Sequence, residues 1–165
     1  MLTEIKGDLI KFTEAQYIAH QCNCLTINSA GMAESIFNAF PWSNIYAERS
    51  IDIDYKKLPE GNRPGDIVIR GNGTDQRYVI NMIAQLFPGR PRYPDSTQDG
   101  TRARQTFFQI CLNKIARIDG LRSIAFPYRI GCNLAGGDWT IYRNMLVELD
   151  LVLKDKVEVY IVRKD

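Results

Sequence analysis

The chain contains one histidine, His20, in the segment His20-Gln-Cys-Asn-Cys-Leu-Thr-Ile-Asn-Ser-Ala-Gly-Met-Ala33. An imidazole with its usual pKa of about 6.5 can give or take a proton at neutral pH, so His20 is a candidate general acid or base. The competing reading is a strand histidine whose ring is satisfied in the core. Asp138, in Ile130-Gly-Cys-Asn-Leu-Ala-Gly-Gly-Asp-Trp139, is the second candidate. It could act as a base or orient an attacking water, but it also directly precedes an expected helix, where an aspartate caps free N–H groups. Asn23 could hold a ligand group or a water, or its side chain could simply stabilise a turn. Cys22, Cys24, Cys111 and Cys132 are the four cysteines. The Cys22-x-Cys24 pair lacks C-x-x-C spacing, no motif calls for a metal or cofactor, and nothing predicts a depressed thiol pKa. Reduced thiols and a cytoplasmic location are expected.

Two segments offer backbone chemistry. Ser29, Ala30, Gly31 and Ala33 carry little side chain and lie where a strand passes into a helix. A ligand can approach that backbone closely, and a helix start supplies free N–H groups with partial positive charge. The second segment, Gly131-Cys-Asn-Leu-Ala-Gly-Gly137, has the composition of an anion-cradling loop. Gly131 and Gly136 have G-x-x-x-x-G spacing, yet Gly137 and Asp138 stand where a nucleotide triphosphatase needs Lys and Ser or Thr. Two helix N-termini at one cleft suit a diphosphate. Asp8, in Gly7-Asp8-Leu9, adds a carboxylate able to accept from an exocyclic amine such as that of adenine; the plainer reading is a turn.

The elements that must position these residues alternate in type. Ile5 to Phe12 and Gln16 to Cys22 read as strand-like. Gly31 to Glu48 reads as a helix with Met32, Ile36, Phe37 and Phe40 on one face, and Pro41 interrupts it or starts a second short one. Asp66 to Arg70 and Arg77 to Ala84 flank turn residues and read as a hairpin. Helices are predicted over Thr101 to Arg117 and Trp139 to Leu153, and strands over Ser123 to Pro127 and Val157 to Val162. This alternation argues an α/β fold with helices packed on a mostly parallel or mixed sheet, whose ligands bind at the carboxyl ends of the strands.

Composition removes other classes. The 165 residues fit one domain, 1–165, and 21 Lys and Arg against 19 Asp and Glu leave a net charge of +2. No apolar run approaches the ~20 residues of a membrane span, and the N-terminus lacks the basic and apolar regions of a secretory signal. Arg90, Arg92, Arg102 and Arg104 cluster near Tyr93, but Asp95 and Asp99 dilute the patch, so nucleic acid is not an expected partner.

Four pieces in order, Gly7-Asp8-Leu9, Ile18-Ala-His-Gln-Cys-Asn23, Ala30-Gly-Met-Ala33 and Pro127-Tyr-Arg-Ile-Gly-Cys-Asn-Leu-Ala-Gly-Gly-Asp-Trp139, resemble the macro domain, an ADP-ribose-binding module. The likeness is to the branch containing ADP-ribose-1″-phosphate phosphatases and related deacylating and de-ADP-ribosylating enzymes. It implies a three-layer α/β/α sandwich on a mixed six-stranded sheet. It also implies adenine near Asp8 and Leu9, and a diphosphate between Gly31-Met32-Ala33 and the loop Gly131, Cys132, Asn133, Leu134, Ala135, Gly136 and Gly137, with Ala30 at its edge. The distal ribose would lie near Asn23, His20 and the second loop. Departures accompany it. Ser29 replaces a frequent glycine, Asn81-Met-Ile-Ala-Gln85 lacks the lysine that some relatives use covalently, and Ala135 stands where they carry a carboxylate. The resulting expectation is a monomer that binds ADP-ribose and hydrolyses a group from its distal ribose without a metal, with His20 and Asp138 as catalytic residues; the alternative is a non-catalytic reader.

Overall fold

A computed structural model describes residues 2–164. Six strands form one sheet: β1 (Leu2–Lys6), β2 (Tyr17–Asn23), β3 (Ile67–Arg70), β4 (Tyr78–Gln85), β5 (Ser123–Pro127) and β6 (Glu158–Arg163). Their order is β1-β6-β5-β2-β4-β3. All neighbours are parallel except β3 and β4, which form the antiparallel hairpin expected around the Gly71–Asp75 turn. Helices α1 (Gly31–Ala39), α2 (Thr101–Ile115) and α3 (Trp139–Leu153) cover the two faces. The mixed six-stranded α/β/α sandwich is therefore as expected.

Each central strand divides its residues between two cores, as the period of two along a strand demands. Tyr17, Ala19, Ile80, Met82, Ile124 and Phe126 meet α2 and α3, together with Phe108, Leu112, Tyr142 and Leu146. Ile18, Cys22, Val79, Ile83 and Ala125 meet α1 through Ala33, Ile36 and Phe37. Strand β4 is buried at seven of its eight positions and edge strand β3 at none, which explains why the first reads as an unbroken apolar run.

Two boundaries differ from the sequence reading. The first strand is Leu2–Lys6 rather than a stretch over 5–12, and Leu9–Lys11 is a 3-10 turn capped by Asp8, whose carboxylate accepts from the Ile10 N–H at 3.0 Å. Helix α1 stops at Ala39; Pro41–Ser43 and Ile45–Glu48 are separate 3-10 turns, as Pro41 required. Among the described residues, no helix is long and apolar enough to cross a membrane.

Candidate ligand-binding cleft

A cleft of about 350 Å³ opens at the carboxyl ends of β2, β4 and β5, a volume typical of a small-molecule site. The first loop contributes Asn23, Thr26, Asn28, Ala30, Met32 and Ala33, and the second contributes Gly131 to Ala135. Gln21, Tyr46, Gln85, Pro88, Gly89 and Pro127 to Ile130 complete the wall. Gln85 was accessible from the rule that ligands sit at strand carboxyl ends. Tyr46 arrives from a 3-10 turn with no sequence signal.

The first loop ends in an open helix start. Ala30 is the N-cap of α1 and has no side chain to cap it. The amides of Gly31, Met32 and Ala33 make no hydrogen bond among the described residues; the first intrahelical bond is from Glu34 to the Ala30 carbonyl. Gly31 sits at φ +59, and a Cβ there would lie 2.8 Å from Leu134 Cδ1, so Leu134 reaches across the cleft to the first loop.

The second loop is built differently. A Cβ on Gly131 or Gly137 would lie 2.6 to 2.7 Å from the Tyr142 ring or the Gly131 carbonyl, and one on Gly136 would lie 2.7 Å from the Arg90 stem. These glycines therefore let the loop close over Tyr142 and Arg90. Gly136 and Gly137 shape the loop without lining the cleft. Asp138 is exposed and accepts from the Thr140 N–H at 2.9 Å, capping α3. The expectation of two open helix N-termini is corrected: α3 is occupied by its own carboxylate. Among the described residues, Arg129 is the only charged one in the cleft wall; its Nε donates to Asn133 Oδ1 at 3.2 Å.

The two catalytic assignments fall outside the cleft. Asp138 is a helix cap. His20 is fully buried, edge-on to Phe37 at 5.2 Å, and its Nε2 lies 2.6 Å from Asn81 Oδ1. The Asn81 amide nitrogen donates to the Ser43 and Val68 carbonyls, so Asn81 Oδ1 must accept from His20 Nε2–H. Burial pushes the His20 pKa down to about 4, the Asn81 bond opposing it. His20 is thus a neutral core group, because strand alternation turns it toward α1 while Gln21 faces the other side.

Asp8 and Leu9 also lie outside the cleft wall. Asp8 caps its own turn and stands 3.8 Å from Lys164 Nζ, while Leu9 is buried in the α1-side core. Asn23 lines the cleft with its amide spent on the turn. Its Oδ1 accepts from the Leu25 and Thr26 N–H groups at 2.9 Å, and its Nδ2 donates to Tyr46 OH at 3.2 Å. Cys132 lines the cleft, and burial raises its thiol to about 12, so it is no nucleophile at neutral pH. On the floor, Gln85 Nε2 donates to the Phe87 carbonyl at 2.9 Å and Gln85 Oε1 accepts from Gln21 Nε2 at 2.7 Å. The carbonyl can only accept, which fixes both amides and leaves Gln21 Oε1 as a buried acceptor beneath Gly131, without a partner among the described residues.

The architecture is that of macrodomains. The macrodomain of Mycobacterium tuberculosis DarG superposes with a TM-score of 0.71 at 20% identity, over 98% of this chain and 97% of that one. A protein of Bacteroides thetaiotaomicron superposes at 0.72 and 24% identity, over 99% of both chains. A Trypanosoma brucei macrodomain in complex with ADP-ribose superposes at 0.65 and 14% identity, over 98% of this chain and 63% of that one. No protein-family profile and no curated protein matches the sequence.

Proposed function

We propose that this chain binds ADP-ribose, free or attached to a partner, in the cleft between the start of α1 and the second glycine loop. The observation that carries the reading is the donor set. An uncapped helix N-terminus faces a wall whose only charge among the described residues is that of Arg129. That combination suits an anionic diphosphate. Met32, Pro127 and Tyr128 give apolar wall for the rest of the ligand. The ADP-ribose-bound Trypanosoma brucei macrodomain, sharing the fold, supports the same class.

Binding without turnover is the form of the reading that the geometry favours. Among the described residues lining the cleft there is no Asp, Glu, His or Lys, so removal of a group from the distal ribose lacks a side chain to activate water. In a cytoplasmic compartment the protein then acts as a reader. Calorimetry with ADP-ribose, with AMP as control, tests binding; a saturable ADP-ribose isotherm is expected, and none overturns the reading. Phosphorus NMR of ADP-ribose-1″-phosphate with stoichiometric protein separates the two forms. Shifted diphosphate signals without free phosphate are expected; phosphate release that depends on the protein would restore the hydrolase.

A further inference from the structure

The sequence places Arg104 in an exposed basic cluster, but the structure buries its side chain to 2% exposure. All five guanidinium N–H donors are spent. Nε and Nη2 grip the Asp99 carboxylate at 3.1 and 2.7 Å. Nη2 also donates to the Phe87 carbonyl at 3.0 Å, and Nη1 donates to the Gly89 carbonyl at 2.6 Å and, more weakly, to the Ala135 carbonyl at 3.4 Å. Asp99 in turn accepts from the Leu86 and Phe87 N–H groups at 2.7 and 3.0 Å. Gly89 and Ala135 belong to different walls of the cleft. Arg90 adds a second link between the same segments, its stem packing on Gly136.

We infer that Arg104, held by Asp99, is a positioning residue that fixes the segment 86–90 and the second glycine loop relative to each other, and so sets the width of the cleft. A planar fork with five donors is needed, because its acceptors come from three separate stretches of chain. A lysine ammonium has three donors and no plane, so it cannot bridge the same set. The Phe87 carbonyl held by Arg104 also receives the Gln85 amide. The clamp therefore also fixes the two glutamines on the cleft floor.

For ligand affinity the inference rests on the proposed ADP-ribose reading; for loop order it does not, and the test uses both. Hydrogen exchange of the ligand-free protein is measured in peptides covering 86–90 and 131–137. The variants are Arg104→Lys and the uncharged pair Arg104→Met with Asp99→Leu, which leaves no unpaired buried charge if the lysine protein does not fold. Ile115→Val, on the same helix but away from the cleft, is the control for lost stability. Exchange should quicken in both peptides for the clamp variants and stay unchanged there in the control. ADP-ribose affinity should fall about tenfold or more in the clamp variants, the scale of one lost charge-assisted hydrogen bond, and hold in the control. Unchanged exchange at 131–137 overturns the inference, and so does an equal rise in the control. A wild-type protein that binds no ADP-ribose overturns the functional reading instead, and the exchange data then decide the clamp alone.

Discussion

The two glycine-bearing loops look alike in sequence, each a strand, a run of small residues and a helix, but they do opposite things with the helix that follows. At α1 the N-cap is Ala30, and the amides of Gly31, Met32 and Ala33 have no partner among the described residues and lie beside the cleft. At α3 the N-cap is Asp138, and the chain satisfies its own helix. The glycines differ as well. Gly131, Gly136 and Gly137 are small because Tyr142, Arg90 and the loop's own carbonyl occupy the space of a side chain. Glycine content alone thus does not mark an anion site; the residue at the cap does.

The largest effect should come from making the first loop like the second. Ala30 has an extended backbone, φ −146 and ψ 162, ready to cap. Ala30→Asp should raise thermal stability by about 1 kcal/mol through the new cap. It should weaken ADP-ribose about 100-fold, since a carboxylate near a diphosphate at an effective dielectric of about 20 costs several kcal/mol. Calorimetry and thermal unfolding on the same sample read both. A variant that gains stability but keeps its affinity would show that the ligand does not use the α1 terminus.

The strand leading into the first loop carries the second effect, on stability with pH. Burial pushes the His20 pKa down to about 4 in the folded chain, against about 6.5 unfolded. Between those values the unfolded chain binds more protons, so stability is lost as pH falls from about 6.5 toward 4. The slope is at most about 1.4 kcal/mol per pH unit. Urea unfolding at pH 7 and pH 5 should show the loss, and His20→Gln should remove it. ADP-ribose affinity between pH 6 and 8 should stay flat, as a core histidine requires; a step near pH 6.5 would return His20 to the site.

His20 also shows where sequence reasoning stops. Strands β2 to β6, the hairpin and helices α2 and α3 were legible because their apolar periods and turn residues are local, whereas the stretch read as a first strand over 5–12 overlaps β1 only at Ile5 and Lys6. The two loops were legible because strand-to-helix junctions are chain-adjacent. Strand alternation sets His20 opposite Gln21, but only the folded sheet turns that face toward α1 and brings Asn81 and Phe37 to the ring. Arg104 read as a surface charge for the same reason, its carbonyl partners lying on β4's exit and in the second loop. Tyr46 joined the cleft wall from a turn whose place is set by packing on Phe37 at 5.1 Å. Asp138 had the clearest local signal, the N-cap position, and it behaves accordingly.

Within the second loop, Gly136→Ala should cost about 1–2 kcal/mol, because φ +76 is strained for an alanine while the Arg90 stem can yield. The effect on ADP-ribose should be small, since Gly136 shapes the loop from outside the cleft wall. Denaturant unfolding beside calorimetry checks the pair.

The smallest effect should be at the cap itself. Asp138→Ala removes the bond to the Thr140 N–H and should cost about 1 kcal/mol of stability, while Asp138→Asn, which still accepts, should cost only tenths. Neither should alter ADP-ribose affinity, because Asp138 is exposed and outside the cleft wall. The contrast with Ala30 is what gives this measurement its weight. If Asp138→Ala tightened the ligand, its carboxylate would be competing for the α3 amides, and the second helix would be a latent anion site. If it abolished binding, Asp138 would touch the ligand. A loss of stability alone, equal to one cap, is the outcome expected if the diphosphate is held at the α1 terminus, as proposed, with the second loop as its wall.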